Sequence, residues 1–316
     1  MMIPAWAQQM DQWAAEGIPF LFILDFELKA PMVIPLLDID SDHASGIQFQ
    51  INKVKSSTSS NAQDISFSKI PVSFEQYQRG FDQVLKAIKA GDTYLLNLCY
   101  STQMTGLPSL KEIFDVVSAP YKLYVPGKFV VFSPEQFVSI QEGIIRTYPM
   151  KGTIDASLPD AEATLLADIK EQEEHATVVD LLRNDLSIVS RKVTVDQYRY
   201  ISKISTPTKS LLQCSSAISG ILEDEFAGKP GSIMHALLPA GSVTGAPKKK
   251  TVELITEIEL EPRGYYTGVF GVFDGKNLDS AVMIRLIEER GDEYYYRSGG
   301  GITYRSVAEQ EYQEML

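Results

Sequence analysis

Between Gly91 and Thr153 the chain passes through TYLLNLCY, KLYVP, KFVVFS, QFVSI and GIIRTYPM, short β-rich runs separated by the turn signals Pro126-Gly127 and Glu142-Gly143. Turns this tight join antiparallel neighbours, because a parallel pair needs a crossover of about a dozen residues or more. The flanking segments are helical. Ser73 and Gln76 form a capping box ahead of Tyr77, Phe81, Val84, Leu85 and Ile88 at helical spacing, and Gly91 supplies the stop. Asp160 is the expected cap of one long helix running to about Asp185, and Pro247 the expected first residue of a helix carrying Val252, Ile255 and Ile258. Near the C-terminus YYTGVFGVFDG, LDSAVMIRLIEE and DEYYYRSGGG read as a three-stranded antiparallel meander, and a capping box of Ser306 and Glu309 predicts a helix over Val307–Leu316. Strands and helices alternate without regular βαβ units, so the fold class is α+β.

Length, charge and cysteine content narrow the function. The 316 residues leave one large domain or two small ones open, with a short N-terminal strand layer over 1–70 ahead of the rest. The polar tract from Lys53 to Asp64 reads as a mobile surface excursion between them. A net charge of −12 repels phosphate backbones and anionic membrane surfaces, so nucleic acid and membranes are not expected partners. Cys99 and Cys214 form neither a CxxC pair nor a Cys/His cluster. With no basic leader and no long apolar run, the chain is expected to be soluble and cytoplasmic.

Several residue groups could carry chemistry. Glu171 and Glu174, and again Glu311 and Glu314, stand at i, i+3 on predicted helices, so each pair shares a face. Four such carboxylates suit a magnesium ion, although the same spacing decorates solvated faces of acidic helices. His175 beside them reads as a hydrogen-bonded interior imidazole. PAGSVTGAPKKK leads small residues into a helix N-terminus, where free N–H groups can meet a carboxylate or phosphate; a plain tight turn fits the same residues. The glycines of SGGGIT let backbone approach a ligand or permit a bulge. Lys151, next to Gly152 after a β-rich run, is a candidate nucleophile among many solvated lysines. Arg285 in the apolar run AVMIRLIE needs an anionic partner, either a ligand or an internal ion pair. Glu135 in SPEQF is a candidate general acid at a strand-to-loop junction.

In order, GDTYLLNL, SPEQF, PMKGT, KEQEEHATVVDLLRNDL, PAGSVTGAPKKK, RGYYTGVFG, DSAVMIR and SGGGIT…EQEY resemble the chorismate-utilising enzymes: anthranilate synthase component I, aminodeoxychorismate synthase component I, and the isochorismate and salicylate synthases. The resemblance implies one α+β domain, with its catalytic core over 71–316, in which two packed antiparallel sheets carry outer helices and an active site at their inner mouth. It implies Glu174 and Glu314 as magnesium ligands, with Glu171 and Glu311 behind them. Arg285 and Tyr266 resemble the pair that grips the enolpyruvyl carboxylate of chorismate, while the backbone at Gly299 and Gly300 and the magnesium hold the ring carboxylate. Thr244 resembles a further substrate contact, and Glu135 the acid that protonates the departing C4 hydroxyl.

Two positions bear on the reaction. Members that add water to chorismate carry a lysine base where this chain has Leu95, and an aliphatic side chain cannot deprotonate water. Anthranilate synthases usually have alanine in the PMKGT segment, whereas aminodeoxychorismate synthases have a lysine, here Lys151. The chain therefore resembles the aminodeoxychorismate synthases of folate and 4-aminobenzoate biosynthesis, in which this lysine forms a covalent intermediate. Leu95 departs from the glutamine common in amine-adding members, and Gln213 stands where many have a substrate-side histidine. No LLES-like segment is present, so tryptophan feedback is not expected. No GxCxG elbow is present either, so ammonia is expected from solution or from a separate glutamine amidotransferase subunit. The alternatives are anthranilate synthase component I and a catalytically silent chorismate-binding subunit.

Overall fold

The computed structural model describes residues 2–39, 46–52, 67–205 and 210–316; the tract from Lys53 to Asp64 lies outside them. The expected α+β architecture is present, as a nine-stranded and an eight-stranded sheet whose described strand pairs are antiparallel throughout. The chain begins with helix α1 (Ala5–Ala15), strands β1 (Phe20–Leu24) and β2 (Met32–Pro35), one turn of α2 (Leu36–Ile39), and short strands β3 (Gln48–Gln50) and β4 (Ser68–Ile70). The N-terminal segment is thus more than a strand layer. All five residues of β1 are fully buried. Phe20, Phe22 and Leu24 pack with the helices outside one sheet, and Leu21 and Ile23 pack between the two sheets. A strand covered on both faces reads as a continuous apolar run, and FLFIL is one.

Helix α3 (Phe74–Ala90) lies where its cap and stop signals put it: Ser73 Oγ accepts from the Gln76 N–H at 3.3 Å, and Gly91 closes the helix at φ +82°. Next come β5 (Leu95–Thr105), α4 (Leu110–Val116), β6 (Tyr121–Val125), β7 (Phe129–Ser133), β8 (Gln136–Gln141), β9 (Ile144–Thr147) and β10 (Met150–Asp155). The sequence reading passes over α4, although Ser109 and Glu112 form a complete capping box at its start.

The single helix expected from Asp160 to Asp185 is two, α5 (Ala161–Ala167) and α6 (Ile169–Ser187). Asp160 sits at φ +51° and caps nothing with its side chain, whereas the Asp168 carboxylate accepts from the Glu171 N–H at 3.0 Å and starts α6 afresh. Strands β11 (Ser190–Ser205) and β12 (Ser210–Leu222) follow, then α7 (Pro230–Leu237), a 3-10 turn over Gly241–Val243, β13 (Gly245–Ala246) and α8 (Lys248–Ile258). Pro247 is the N-cap of α8 rather than its first residue, with extended backbone at ψ 135°.

The C-terminal meander is instead two hairpins in different sheets. Strands β14 (Val269–Phe273) and β15 (Leu278–Val282) belong to the nine-stranded sheet, while β16 (Leu286–Arg290) and β17 (Glu293–Thr303) belong to the eight-stranded one. LDSAVMIRLIEE is therefore two strands broken at Met283–Arg285, where Arg285 adopts φ +53°. The last helix is α9 (Ala308–Met315), and its N-cap Val307 makes no side-chain cap. Ser306 Oγ accepts from the Thr303 N–H instead, so the expected capping box is a turn closing β17.

Candidate active site

Two chain crossings between the sheets create the site. Strand β7 pairs in the eight-stranded sheet and β8 in the nine-stranded one, so the Pro134-Glu135 link carries the chain across. The β15-to-β16 link crosses back beside it: Val282 N–H donates to Glu135 O at 3.1 Å, and Phe132 N–H donates to Arg285 O at 3.3 Å. Glu135 and Arg285, 150 residues apart in the sequence, are in this way brought to one mouth.

That mouth is a cavity of about 610 Å³, lined among others by Glu135, Lys151, Tyr266, Arg285, Gly299 and Glu314. Its size falls in the range of about 300–1,000 Å³ typical for small-molecule sites. Glu135 Oε1 accepts from the Ser242 hydroxyl at 2.6 Å. Burial pushes the Glu135 carboxyl above the usual carboxylate range, against the opposing pulls of that hydrogen bond and the Lys151 charge. A carboxyl that burial makes a weaker acid can carry a proton and give it up to a leaving group.

Lys151 lies near the start of β10, opposite Cys214 on β12, and the ladder slips between Lys151 and Thr153. Gly152 absorbs the slip at φ +74°; a Cβ there would meet Leu165 Cδ1 at 2.8 Å and Glu171 Oε2 at 3.0 Å. The Lys151 amine lies 3.8 Å from Glu174 Oε2, both side chains being mostly buried. On the opposite side runs the glycine triplet of β17. A Cβ on Gly299 would come within 2.5 Å of both Cys99 Sγ and Leu98 O, one on Gly301 would lie 4.0 Å from Lys151 Nζ, and one on Gly300 would lie 3.6 Å from Glu311 Oε2. Bare backbone is thus what separates the lysine from helix α9.

Arg285 is exposed to the cavity and, among the described residues, makes no ion pair, so the internal-pair alternative has no partner there. Tyr266 is 5% exposed, and burial drives its hydroxyl pKa well above normal, so it remains a donor. Thr244, Gly300, Gln213, Glu171, Glu174 and Glu311 are not among the cavity-lining residues. Thr244 is wholly buried, and its hydroxyl donates to Ala240 O and Gly241 O at 3.1 Å each. Gln213 lies on β12 opposite Thr153 and Ser202. His175 is interior, its Nε2 2.7 Å from Ser216 Oγ, and burial with the Arg199 and Lys151 charges lowers its pKa to about 4.

The residues that sequence reasoning missed hold the walls in place. Arg263, 1% exposed, donates twice to Glu259, at 2.9 and 2.6 Å, and also to Val243 O at 2.7 Å and Asn97 O at 2.6 Å. One guanidinium thereby ties the loop behind Ser242 to β5. The Glu259–Arg263 spacing of i, i+4 was the available signal, obscured because α8 has already ended.

For a magnesium ion, the donor chemistry fits. Glu171 and Glu174 on α6, and Glu311 and Glu314 on α9, offer hard carboxylate oxygens; Glu311 Oε2 lies 3.6 Å from the Cβ position of Gly300 and Glu171 Oε2 3.0 Å from that of Gly152. Among the described residues no three His, Cys, Asp or Glu side chains converge into a finished cluster. The protein would supply part of a coordination shell and leave the rest to waters and a substrate anion.

Residues 36–316 match the model of the family described as chorismate binding enzyme. An "uncharacterized PabA-like protein" of Haemophilus influenzae is 47% identical over 310 residues, covering 98% of this chain and 94% of that one. The aminodeoxychorismate synthase component 1 of Bacillus subtilis is 34% identical over 254 residues, covering 74% of this chain and 53% of that one. Among solved structures, anthranilate synthase component I from Streptococcus pneumoniae superposes with a TM-score of 0.66 at 31% identity, covering 81% of this chain and 59% of that one. The chain spans about half the length of the last two relatives, and their identities do not separate the two activities.

Proposed function

The chain belongs to the chorismate binding enzyme family, and on that premise we propose that it is an aminodeoxychorismate synthase component I. It would convert chorismate and ammonia, with magnesium, to 4-amino-4-deoxychorismate in folate and 4-aminobenzoate biosynthesis, the ammonia coming from a glutamine amidotransferase partner. The observation that carries the reading is the placement, on one cavity, of the Lys151 amine and a Glu135 carboxyl whose hold on its proton is strengthened by burial.

In this reading Arg285 and Tyr266 hold the enolpyruvyl carboxylate, and the Gly299–Gly300 backbone faces the ring carboxylate. Glu174 and Glu314, with Glu171 and Glu311 behind them, would hold magnesium, which when bound would supply positive charge for that carboxylate. Lys151 bonds to ring C2 through the lone pair its amine has when deprotonated; the diene electrons move toward C4, the C4–O bond breaks, and the Glu135 proton lets the hydroxyl leave as water. Ammonia then bonds to C4, the electrons return, and the C2–N bond breaks to release neutral Lys151. The new C4 ammonium returns a proton to Glu135, so chorismate plus ammonia yields the amino product plus water. Leu95, 5% exposed, has no base to offer a competing water.

The test is to incubate the purified chain with chorismate, magnesium and an ammonium salt and to identify products by chromatography and mass spectrometry. Aminodeoxychorismate supports the reading. Anthranilate would assign the chain to the anthranilate synthases instead, and binding without turnover would leave it a chorismate-binding subunit.

A further inference from the structure

Asn97 interrupts an apolar strand. Its neighbours on β5, Leu95, Leu96, Leu98 and Cys99, are all buried, yet Asn97 is only half-buried and lines the active cavity. A polar side chain in such a run needs partners. The backbone of Asn97 has them: its N–H donates to Thr244 O at 2.8 Å, and its carbonyl accepts from Arg263 at 2.6 Å. The side chain is matched at one end. Cys99 Sγ lies 3.3 Å from Asn97 Oδ1, and burial pushes the thiol up to about 12, so it keeps its proton and donates to that oxygen. Among the described residues nothing accepts from Asn97 Nδ2, and that nitrogen is not sealed away from the cavity.

The strand register fixes what this amide stands beside. Asn97 pairs with Gly301 and Cys99 with Gly299, alternate positions that share one face of the sheet. On that face a Cβ at Gly299 would meet Cys99 Sγ at 2.5 Å, and one at Gly301 would lie 4.0 Å from Lys151 Nζ. Bare Gly301 therefore leaves the ground between the Asn97 amide and the Lys151 amine clear. The proposed chemistry places Lys151 against ring C2, and the neighbouring carbon C1 carries the ring carboxylate. A donor fixed opposite Gly301 adjoins the Gly299–Gly300 backbone that this carboxylate faces.

We infer that Asn97 is a substrate-binding residue whose Nδ2 donates to the ring carboxylate of chorismate, the Cys99 thiol holding the amide oxygen back so that the nitrogen faces the ligand. The inference rests on the chorismate site proposed above. It adds a neutral, directed donor to a carboxylate otherwise met by backbone and a bound ion, and it gives Cys99 the task of fixing which end of the amide is presented.

The test is calorimetric binding of two aromatic mimics of chorismate in the presence of magnesium. The compound 3-(1-carboxyvinyloxy)benzoate keeps both carboxylates, whereas 2-phenoxyacrylate keeps the enolpyruvyl one alone. Asn97→Ala should weaken the dicarboxylate about tenfold or more, the scale of one hydrogen bond to a charged group, and leave the monocarboxylate within about twofold. Asn97→Asp keeps the size and the bond from Cys99 but turns the donor into an acceptor. It should weaken the dicarboxylate at least as much, and it keeps the test open if the alanine variant does not fold; circular dichroism checks both. Unchanged dicarboxylate binding in a folded variant, or equal losses for the two mimics, overturns the assignment. Anthranilate as the wild-type product would refute the proposed amination at C4 yet leave this comparison readable. A wild-type chain that binds neither mimic would overturn both.

Discussion

Replacing Arg263 with methionine tests whether one buried guanidinium holds the cavity together. Arg263 and Glu259 are 1% and 4% exposed, so the substitution leaves a carboxylate in the interior without its cation and two carbonyls, Val243 O and Asn97 O, without their donors. Breaking a buried ion pair from one side costs about 3–5 kcal/mol, a large share of a total stability of about 5–15 kcal/mol. At about 2 °C per kcal/mol for a chain of this size, the melting midpoint should fall by about 6–10 °C. Adding Glu259→Leu removes the stranded charge, although the Cys99 N–H loses its acceptor at 3.0 Å, so the double variant should regain part of the loss but not all. Urea titration and calorimetry of the four proteins give the coupling. A single variant within about 1 kcal/mol of wild type, or a double variant no more stable than the sum of the singles predicts, would refute this account of the wall.

Glu135→Gln should lower kcat by about 10²–10⁴-fold, the usual contribution of a general acid. In the wild type, activity should fall as pH rises through the raised Glu135 value, and the variant should lose that limb of its pH profile. The linked stability has the same sign. The folded carboxyl holds its proton more tightly than the unfolded one, so its contribution is full below the ordinary carboxylate range and is lost as pH rises through the folded value. Glu314→Gln should weaken magnesium dependence and turnover together, read as activity against free magnesium; an unchanged metal requirement would move the ligand assignment elsewhere.

How much of this was legible in the sequence depends on whether the signal was local. The α3 helix was readable because Ser73 and Gly91 mark its ends through their own backbone bonds. The break at Asp168 was not, since Leu165, Leu166 and Ile169 keep an apolar rhythm straight across it. Arg285 was recognised as anomalous in an apolar run, but its cause was misplaced. The run is two strands of two sheets, and the left-handed turn at Arg285 is the crossing between them. Glu135 sits at the companion crossing, and nothing in SPEQF announces that the Val282 N–H will bind its carbonyl. Lys151, Gly299 and Glu314, singled out by their motifs, line one cavity, whereas the hydroxyl of Thr244 turns inward and Ser242 in the same loop reaches Glu135. Which hydroxyl of a small-residue loop faces a cavity is decided by the fold of the loop, here by the Arg263 bond to Val243 O.

The central claim is that Lys151 becomes covalently bonded to the ring before ammonia displaces it. The most direct measurement is mass spectrometry of the intact protein after mixing with chorismate and magnesium in the absence of ammonia, with the modified peptide then sequenced. The account predicts an added mass equal to chorismate less one water, located on Lys151, absent from Lys151→Ala, and discharged when ammonium is added. Wild-type turnover with ammonium by Lys151→Ala, or an unmodified Lys151 in protein that goes on to make aminodeoxychorismate, would contradict it.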